Sequence, residues 1–117
     1  MNAVLSFLLV LIALLHLLFM ALEMLFWTRP AGRKIFRTSV EFAASSKALA
    51  ANQGLYNGFL AAGLLWSAYS GQAMPQLFFV SCVFIAGVFG ALTVNRKIFW
   101  VQAFPAMLAL ILLSLNG

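Results

Sequence analysis

Long runs of apolar residues, separated by short polar segments, dominate the chain. Stretches without Asp, Glu, Lys or Arg cover residues 1–22, 48–95 and 98–117, and the middle stretch is 48 residues long. That length accommodates two membrane crossings of about 20 residues each. We therefore predict an all-α protein, a four-helix transmembrane bundle that forms a single integral-membrane domain over residues 1–117. The helices are predicted at about residues 3–27, 39–69 (with the membrane part from about 48), 75–94 and 98–115.

Local signals predict where these helices begin, end and bend. The first helix should end before Pro30, because the residue before a proline is pushed out of the helical conformation, and residues 30–32 should form a turn. Thr38 and Glu41 match the T-x-x-E capping box and predict the start of the second helix. The Ser45-Ser46 pair is the expected site of a bend. Pro75 suits the first position of the third helix, where its missing N–H costs nothing.

Composition excludes a water-soluble domain and charge predicts an orientation. The chain is 65% hydrophobic and 8% charged, whereas a soluble domain carries about 25% charged residues. All seven basic residues lie in two alternate loops, after the first and the third predicted helices. The positive-inside rule then places both loops in the cytoplasm and both termini outside, which is an N-out/C-out topology. A nucleic-acid partner is not expected, because a basic stripe needs a folded soluble face.

Ionisable residues are costly inside a membrane span and therefore mark a candidate site. Glu23 is the only acidic residue in a predicted span. His16, Met20, Glu23 and Trp27 recur at i, i+4, i+7 and i+11, a spacing that places them on one face of the first helix. Glu23 and His16 are the candidate catalytic residues. They are about 10 Å apart along the helix axis, so they would bracket a ligand rather than touch each other.

The second and fourth predicted helices add amide side chains at a similar depth. Counted inward from the basic flanks, Asn52 and Gln102 reach about the depth of Glu23. We predict a polar pocket that opens toward the cytoplasm and binds a ligand. Its residues are His16, Met20, Glu23, Trp27, Asn52, Gln53, Tyr56, Asn57 and Gln102. No metal site and no cofactor are expected, because one His, one Cys and one intramembrane Glu do not make a strong ligand set.

Packing offers a second interpretation of several of these residues. Asn and Gln often join transmembrane helices through hydrogen bonds, and Trp27 has the character of an interfacial anchor. A buried neutral histidine would account for His16 equally well. The Gly54-x3-Gly58 motif in the second helix predicts a close helix–helix seam. Small-residue pairs in the third helix, Ala86 with Gly90 and Gly87 with Ala91, predict another.

Three segments resemble a known family. HLLFMALEMLFW at residues 16–27, ANQGLYNGFLA at 51–61 and LTVNR at 92–96 resemble the small bacterial integral-membrane family catalogued as domain of unknown function 1304. The patterns H-x3-M-x2-E-x3-W and N-Q-G-x-Y-N carry the resemblance, which covers nearly the whole chain. It implies a short four-span protein with no established activity. We accordingly expect a multi-pass protein of the bacterial inner (plasma) membrane, with the lipid bilayer as its partner.

Three functions stay open from the sequence. In the first, the pocket binds or transports a small amphiphilic ligand, with Glu23 holding a proton or a cationic substrate in alternation. A homodimer would complete such a path, because four short helices enclose little volume. The first alternative is a membrane-embedded acid–base enzyme acting on a lipid or isoprenoid-like substrate, with Glu23 and His16 moving the proton. The second alternative is a non-catalytic membrane subunit or scaffold.

Overall fold

The computed structural model of the protein describes residues 2–116. They form six α-helices and one π-helical segment, and no β-strand occurs among them. The all-α class predicted from the sequence is confirmed. In chain order the elements are α1 (Ala3–Met24), α2 (Pro30–Phe36), α3 (Val40–Ser45), α4 (Lys47–Ser70), α5 (Ala73–Thr93), the π segment (Phe99–Ala103) and α6 (Phe104–Asn116).

Two of the described helices are long and apolar enough to cross a membrane. These are α1, with 22 residues, and α5, with 21, close to the ~20 residues that a hydrocarbon core requires. The region Phe99–Leu115 is apolar but shorter. Helix α4 has 24 residues, and its Lys47 and its amide side chains dilute its apolar character. Two candidate spans are therefore present in the described chain, and the four-span bundle stays a prediction.

The segment after α1 is more helical than predicted. Helix α1 ends at Met24 rather than at Trp27, and residues 30–32 do not form the predicted turn. Pro30 is instead the first residue of α2, where its fixed φ favours the helix and its missing N–H has no partner to lose. The connection is compact, because a Cβ on Gly32 would lie only 2.0 Å from the carbonyl oxygen of Phe26.

The predicted cap of the second helix is wrong by one residue, whereas the predicted bend is confirmed. Ser39, not Thr38, caps α3, and its Oγ accepts from the backbone N–H of Phe42 at 3.0 Å. Ser and Thr are both good caps, so the local pattern alone does not choose between neighbours. Helix α3 ends at Ser45, and α4 begins at Lys47 after a non-helical Ser46.

The C-terminal helix is not the regular one predicted over residues 98–115. Its first part is the π segment, closed by a bond from the Phe104 N–H to the Phe99 carbonyl. Pro105 explains the distortion, because a proline in a helix lacks one donor and its ring clashes with the carbonyl four residues earlier. In α5, Pro75 is the third residue rather than the first. The third position still belongs to the first turn, whose N–H groups have no partner within the helix, so the missing N–H of Pro75 costs no hydrogen bond.

The described chain divides into two compact units. The central unit is Leu14–Ala61, and the terminal unit comprises residues 2–13 and 62–116. Within the terminal unit, α5 packs against the π segment and α6. A Cβ on Gly87 would lie 2.6 Å from the backbone nitrogen of Ala103, and one on Gly90 would lie 3.0 Å from Ile98. These approaches confirm the predicted small-residue seam on α5. The assignment of one integral-membrane domain stays a prediction.

Candidate functional site

The central unit contains eight of the nine predicted pocket residues, and its two long helical parts meet at glycines. A Cβ on Gly54 would lie 2.6 Å from Cγ of Met24 and 3.2 Å from the carbonyl oxygen of Met20. A Cβ on Gly58 would lie 2.8 Å from Sδ of Met20. At Gly54, where an added Cβ would also meet the backbone of α1, the absence of a side chain allows this close approach of α4 to α1. The close seam predicted from the GxxxG motif is confirmed.

At this seam the structure joins two predicted site residues, Glu23 of α1 and Asn57 of α4. Asn57 Nδ2 donates a hydrogen bond to Glu23 Oε1 at 2.5 Å. The Asn57 side chain is buried, with 8% of its surface exposed, and Glu23 is half-buried. The contact connects the two sequence patterns that carry the family resemblance, one on each helix. It brings together residues 34 positions apart in the chain.

Glu23 retains hydrogen-bonding capacity after this contact. Its Oε1 accepts the hydrogen bond from Asn57. Within residues 2–116, its Oε2 has no hydrogen-bond partner. No Lys or Arg in the same range forms an ion pair with the carboxyl group. A carboxylate accepts several hydrogen bonds and favours a positive partner. The arrangement therefore leaves one carboxyl oxygen that can bind a proton or a cationic group.

The other residues predicted for the pocket occupy different surroundings. Met20 lies beside the Glu23–Asn57 contact, at the glycine seam. In contrast, Asn52, Gln53 and Tyr56 are exposed, Tyr56 by 52%. Gln102 is half-buried and belongs to the terminal unit, in the π segment. The participation of these four side chains in a ligand pocket stays a prediction.

His16 and Trp27 serve contacts that the helical spacing did not predict. His16 is 1% exposed, and its ring meets Phe19 edge-on at 5.3 Å. Trp27 lies beyond the end of α1, so it does not continue the His16–Glu23 face. Its indole N–H donates to Ser46 Oγ at 3.0 Å, and its ring lies 4.9 Å from that of Phe36. Trp27 thus holds the bend between α3 and α4 against α2.

A buried amide in the terminal unit was missing from the predicted site. Gln76 is 2% exposed, and its Nε2 donates to the backbone carbonyl of Ser67 at 3.0 Å. The Ser67 hydroxyl in turn donates to the Leu64 carbonyl at 2.8 Å. The sequence signal was an amide near the start of an otherwise apolar helix. No group of three or more His, Cys, Asp or Glu side chains is placed to hold a metal ion within residues 2–116.

Comparison with known proteins identifies the family. A family model described as "Protein of unknown function (DUF1304)" matches residues 10–114. An uncharacterized protein of Lactococcus lactis subsp. lactis (strain IL1403), YpaA, is 34% identical over 70 residues, which are 58% of this chain and 59% of that relative. The chain thus spans about three fifths of the length of this curated relative. No solved structure matches the chain. Since the family model covers nearly its whole length, the chain belongs to DUF1304, a family of unknown function.

Proposed function

We propose that this chain is a four-span protein of the bacterial inner membrane, with both termini outside, that binds a small cationic amphiphile at Glu23 and exchanges it for a proton. Helices α1 and α5, which are long and apolar enough to cross a membrane, support the membrane location. The seven basic residues in alternate loops support the topology. The Glu23–Asn57 contact is the observation that carries the ligand assignment.

The contact favours binding because it orients the carboxyl group without neutralising it. Asn57 donates to one oxygen of Glu23 and supplies no positive charge. A bare carboxylate in a membrane span is costly, so a proton or a cation is the partner that stabilises it. Because both compete for the same group, binding of the cation releases the proton. This competition is the physical basis of the proposed exchange.

The position of Glu23 in its helix favours a cation further. Glu23 is the penultimate residue of α1, where the unpaired carbonyls of the last turn carry a partial negative charge. That charge attracts cations and repels anions. The half-buried state of the side chain keeps the group accessible while Met20 supplies an apolar neighbour. An organic cation with an apolar body matches both features.

The acid–base enzyme is the second hypothesis, and the burial of His16 does not favour it. General acid–base catalysis requires both groups to reach the reacting atoms. His16 is 1% exposed and packs on Phe19, and it lies about 10 Å from Glu23 along α1. A non-catalytic scaffold would use the Glu23–Asn57 contact for packing alone. The experiment below distinguishes this outcome from ligand binding.

The test measures tetraphenylphosphonium, a lipophilic cation, with the full chain in detergent and in proteoliposomes. Glu23→Gln keeps the shape and hydrogen bonding of the side chain but removes its negative charge. We expect this variant to unfold at the same temperature as the wild type, to lose binding about tenfold or more, which corresponds to about 1.4 kcal/mol, and to lose uptake driven by a pH gradient. Glu41→Gln is the matched control, because Glu41 is the other acidic residue and is exposed.

The outcomes separate the hypotheses. Equal binding by the wild type and Glu23→Gln would overturn the proposal. A Glu23→Gln variant that has lost its thermal stability together with binding would point to packing and overturn the proposal. Proton release on binding, measured in weakly buffered detergent solution, should occur in the wild type and in Glu41→Gln only.

The topology has its own test. Reporter fusions at Gly117 and near Gly32 are expected to give an external and a cytoplasmic signal, respectively, because the basic loops stay inside. A cytoplasmic signal from the C-terminal fusion would contradict the proposed orientation. This result is independent of the cation measurement.

A further inference from the structure

A concavity lies at the end of α5 in the terminal unit, away from the residues of the Glu23 site in sequence. It has a volume of about 430 Å³ and is lined by Ala91, Leu92, Arg96, Phe99 and Trp100. The concavity is open at the surface, and Leu92 and Trp100 are strongly exposed. A single cationic side chain therefore stands beside an apolar and aromatic wall.

The local fold explains why an opening forms here. Gly87 and Gly90 let α5 approach the following segment closely, at Ala103 and Ile98. The π segment then makes a wider turn than an α-helix. Phe99 and Trp100, whose rings meet edge-on at 5.2 Å, lie at the start of this wide turn and form one wall. The concavity is built by the same proline-induced distortion that shapes the C-terminal helix.

Arg96 supplies the chemistry of the concavity. Its side chain is exposed, and within residues 2–116 it forms no ion pair or hydrogen bond. Lys97 follows it, and no acidic residue lies between residue 42 and the C-terminus. A guanidinium group binds phosphate oxygens in a bidentate manner. The local charge therefore favours an anion that carries a phosphate.

The position along the chain indicates what carries that phosphate. Arg96 follows α5, a helix of membrane-spanning length, by three residues. Cationic and aromatic residues at the end of such a helix lie at the depth of lipid headgroups. The exposed side chains of Leu92 and Trp100 offer an apolar surface on which an acyl chain can pack. A free phosphate ion would make no use of that surface.

From this arrangement we infer that the concavity is a binding site for an anionic phospholipid. The lipid phosphate lies against the Arg96 guanidinium, and the upper part of an acyl chain packs on Leu92 and Trp100. Basic pockets beside transmembrane helices recognise anionic headgroups in this way. The site does not include Glu23, so it does not depend on the proposed cation exchange.

Quenching of tryptophan fluorescence by brominated lipid tests the inference. The full chain is placed in phosphatidylcholine vesicles that contain a small fraction of brominated phosphatidylglycerol, and brominated phosphatidylcholine is used in parallel. We expect about a fivefold enrichment of the anionic lipid near Trp100 relative to the bulk bilayer. The difference between the wild type and Trp100→Phe isolates the signal of Trp100 from the signals of Trp27 and Trp66, and we expect the excess quenching in that difference.

The variants Arg96→Gln and Lys97→Gln form the matched pair. Arg96→Gln should reduce quenching by the anionic lipid to the level of brominated phosphatidylcholine, whereas Lys97→Gln should keep most of the excess. Equal effects of the two substitutions would show a general surface charge and overturn the inference. Inorganic phosphate added to the vesicles should not reverse the quenching. A reversal would identify a free-phosphate site instead.

Discussion

In both units of the molecule a buried amide joins two helices, and the two amides differ in their acceptors. In the terminal unit, Gln76 of α5 donates to the backbone carbonyl of Ser67 in α4. In the central unit, Asn57 of α4 donates to the side-chain carboxyl group of Glu23 in α1. Both amides are at least nine-tenths buried. The first contact pairs two neutral groups, and the second includes an ionisable one.

This difference distinguishes a structural contact from a candidate functional one. The Gln76–Ser67 bond uses a backbone carbonyl that belongs to the fold, and neither group carries a charge. The Glu23–Asn57 bond leaves a carboxyl oxygen without a partner in the described chain. Burial and hydrogen bonding are therefore poor indicators of function on their own. The chemistry of the acceptor is the better indicator.

Alanine substitutions of the seam glycines should give the largest effect on stability, and the loss of unfolding free energy should differ between a glycine of the terminal unit and one of the central unit. A Cβ on Gly87 meets backbone atoms of Ala103 at 2.6 and 2.8 Å, whereas one on Gly58 meets the flexible Met20 side chain. We expect Gly87→Ala to reduce the free energy of unfolding by about 3 kcal/mol and Gly58→Ala by about 1 kcal/mol or less. Denaturant unfolding in detergent measures both. Equal losses would mean that the two seams are equally rigid.

Removal of the Asn57 amide should affect binding and stability together. Asn57→Ala leaves the half-buried Glu23 carboxyl group without the side-chain donor that the structure places on it, which costs about 1–3 kcal/mol in a buried site. We expect weaker tetraphenylphosphonium binding and a lower unfolding temperature. Asn57→Asp, which is similar in size, should lower stability further by placing two carboxyl groups in contact. Unchanged binding in Asn57→Ala would contradict the role of this contact in orienting Glu23.

Removal of the Gln76 amide should affect stability alone. Gln76→Met keeps the length of the side chain and deletes its donor to Ser67. In the proposed four-span arrangement α4 and α5 both cross the membrane, where hydrogen bonds between helices contribute about 0.6 kcal/mol on average and up to about 1.7. We therefore expect a loss of about 1 kcal/mol. Tetraphenylphosphonium binding should equal that of the wild type. A change in binding would remove the distinction between the two amides.

The fold was predictable where apolar length decided it and less so where single residues did. The apolar runs predicted α1 and α5 to within three residues at each end, and the serine pair predicted the bend before Lys47. The α2 helix was not predicted, because proline is common both in turns and at the first position of a helix and the sequence Pro30-Ala31-Gly32 does not distinguish them. The π segment was not predictable from Pro105 alone, because a proline within an apolar run can kink, widen or end a helix.

For the candidate site, the sequence identified the two helices but not which of the amide residues meets Glu23. Successive helical residues are rotated by about 100°, so Asn52 and Tyr56 lie about 140° and 100° around α4 from Asn57. Helical spacing alone does not say which face turns inward. The glycines at 54 and 58 set the face that approaches α1, and Asn57 lies on it.

The smallest effects should come from the exposed polar residues of α4. Asn52 and Tyr56 are exposed, and the ring of Tyr56 lies 5.9 Å from that of Phe59 in the same helix. Surface substitutions without buried contacts usually change stability by less than about 0.5 kcal/mol. We therefore expect Asn52→Ala and Tyr56→Phe to leave the unfolding temperature unchanged. If Glu23 and Asn57 suffice for cation binding, tetraphenylphosphonium affinity should also stay within about twofold of the wild type.

A much larger loss of affinity with intact stability would extend the site to the exposed face of α4. An exposed face of α4 would need residues from another protein chain to complete a binding site. Disulfide crosslinking of Asn52→Cys in the Cys82→Ser background would test whether a second copy of this chain supplies them.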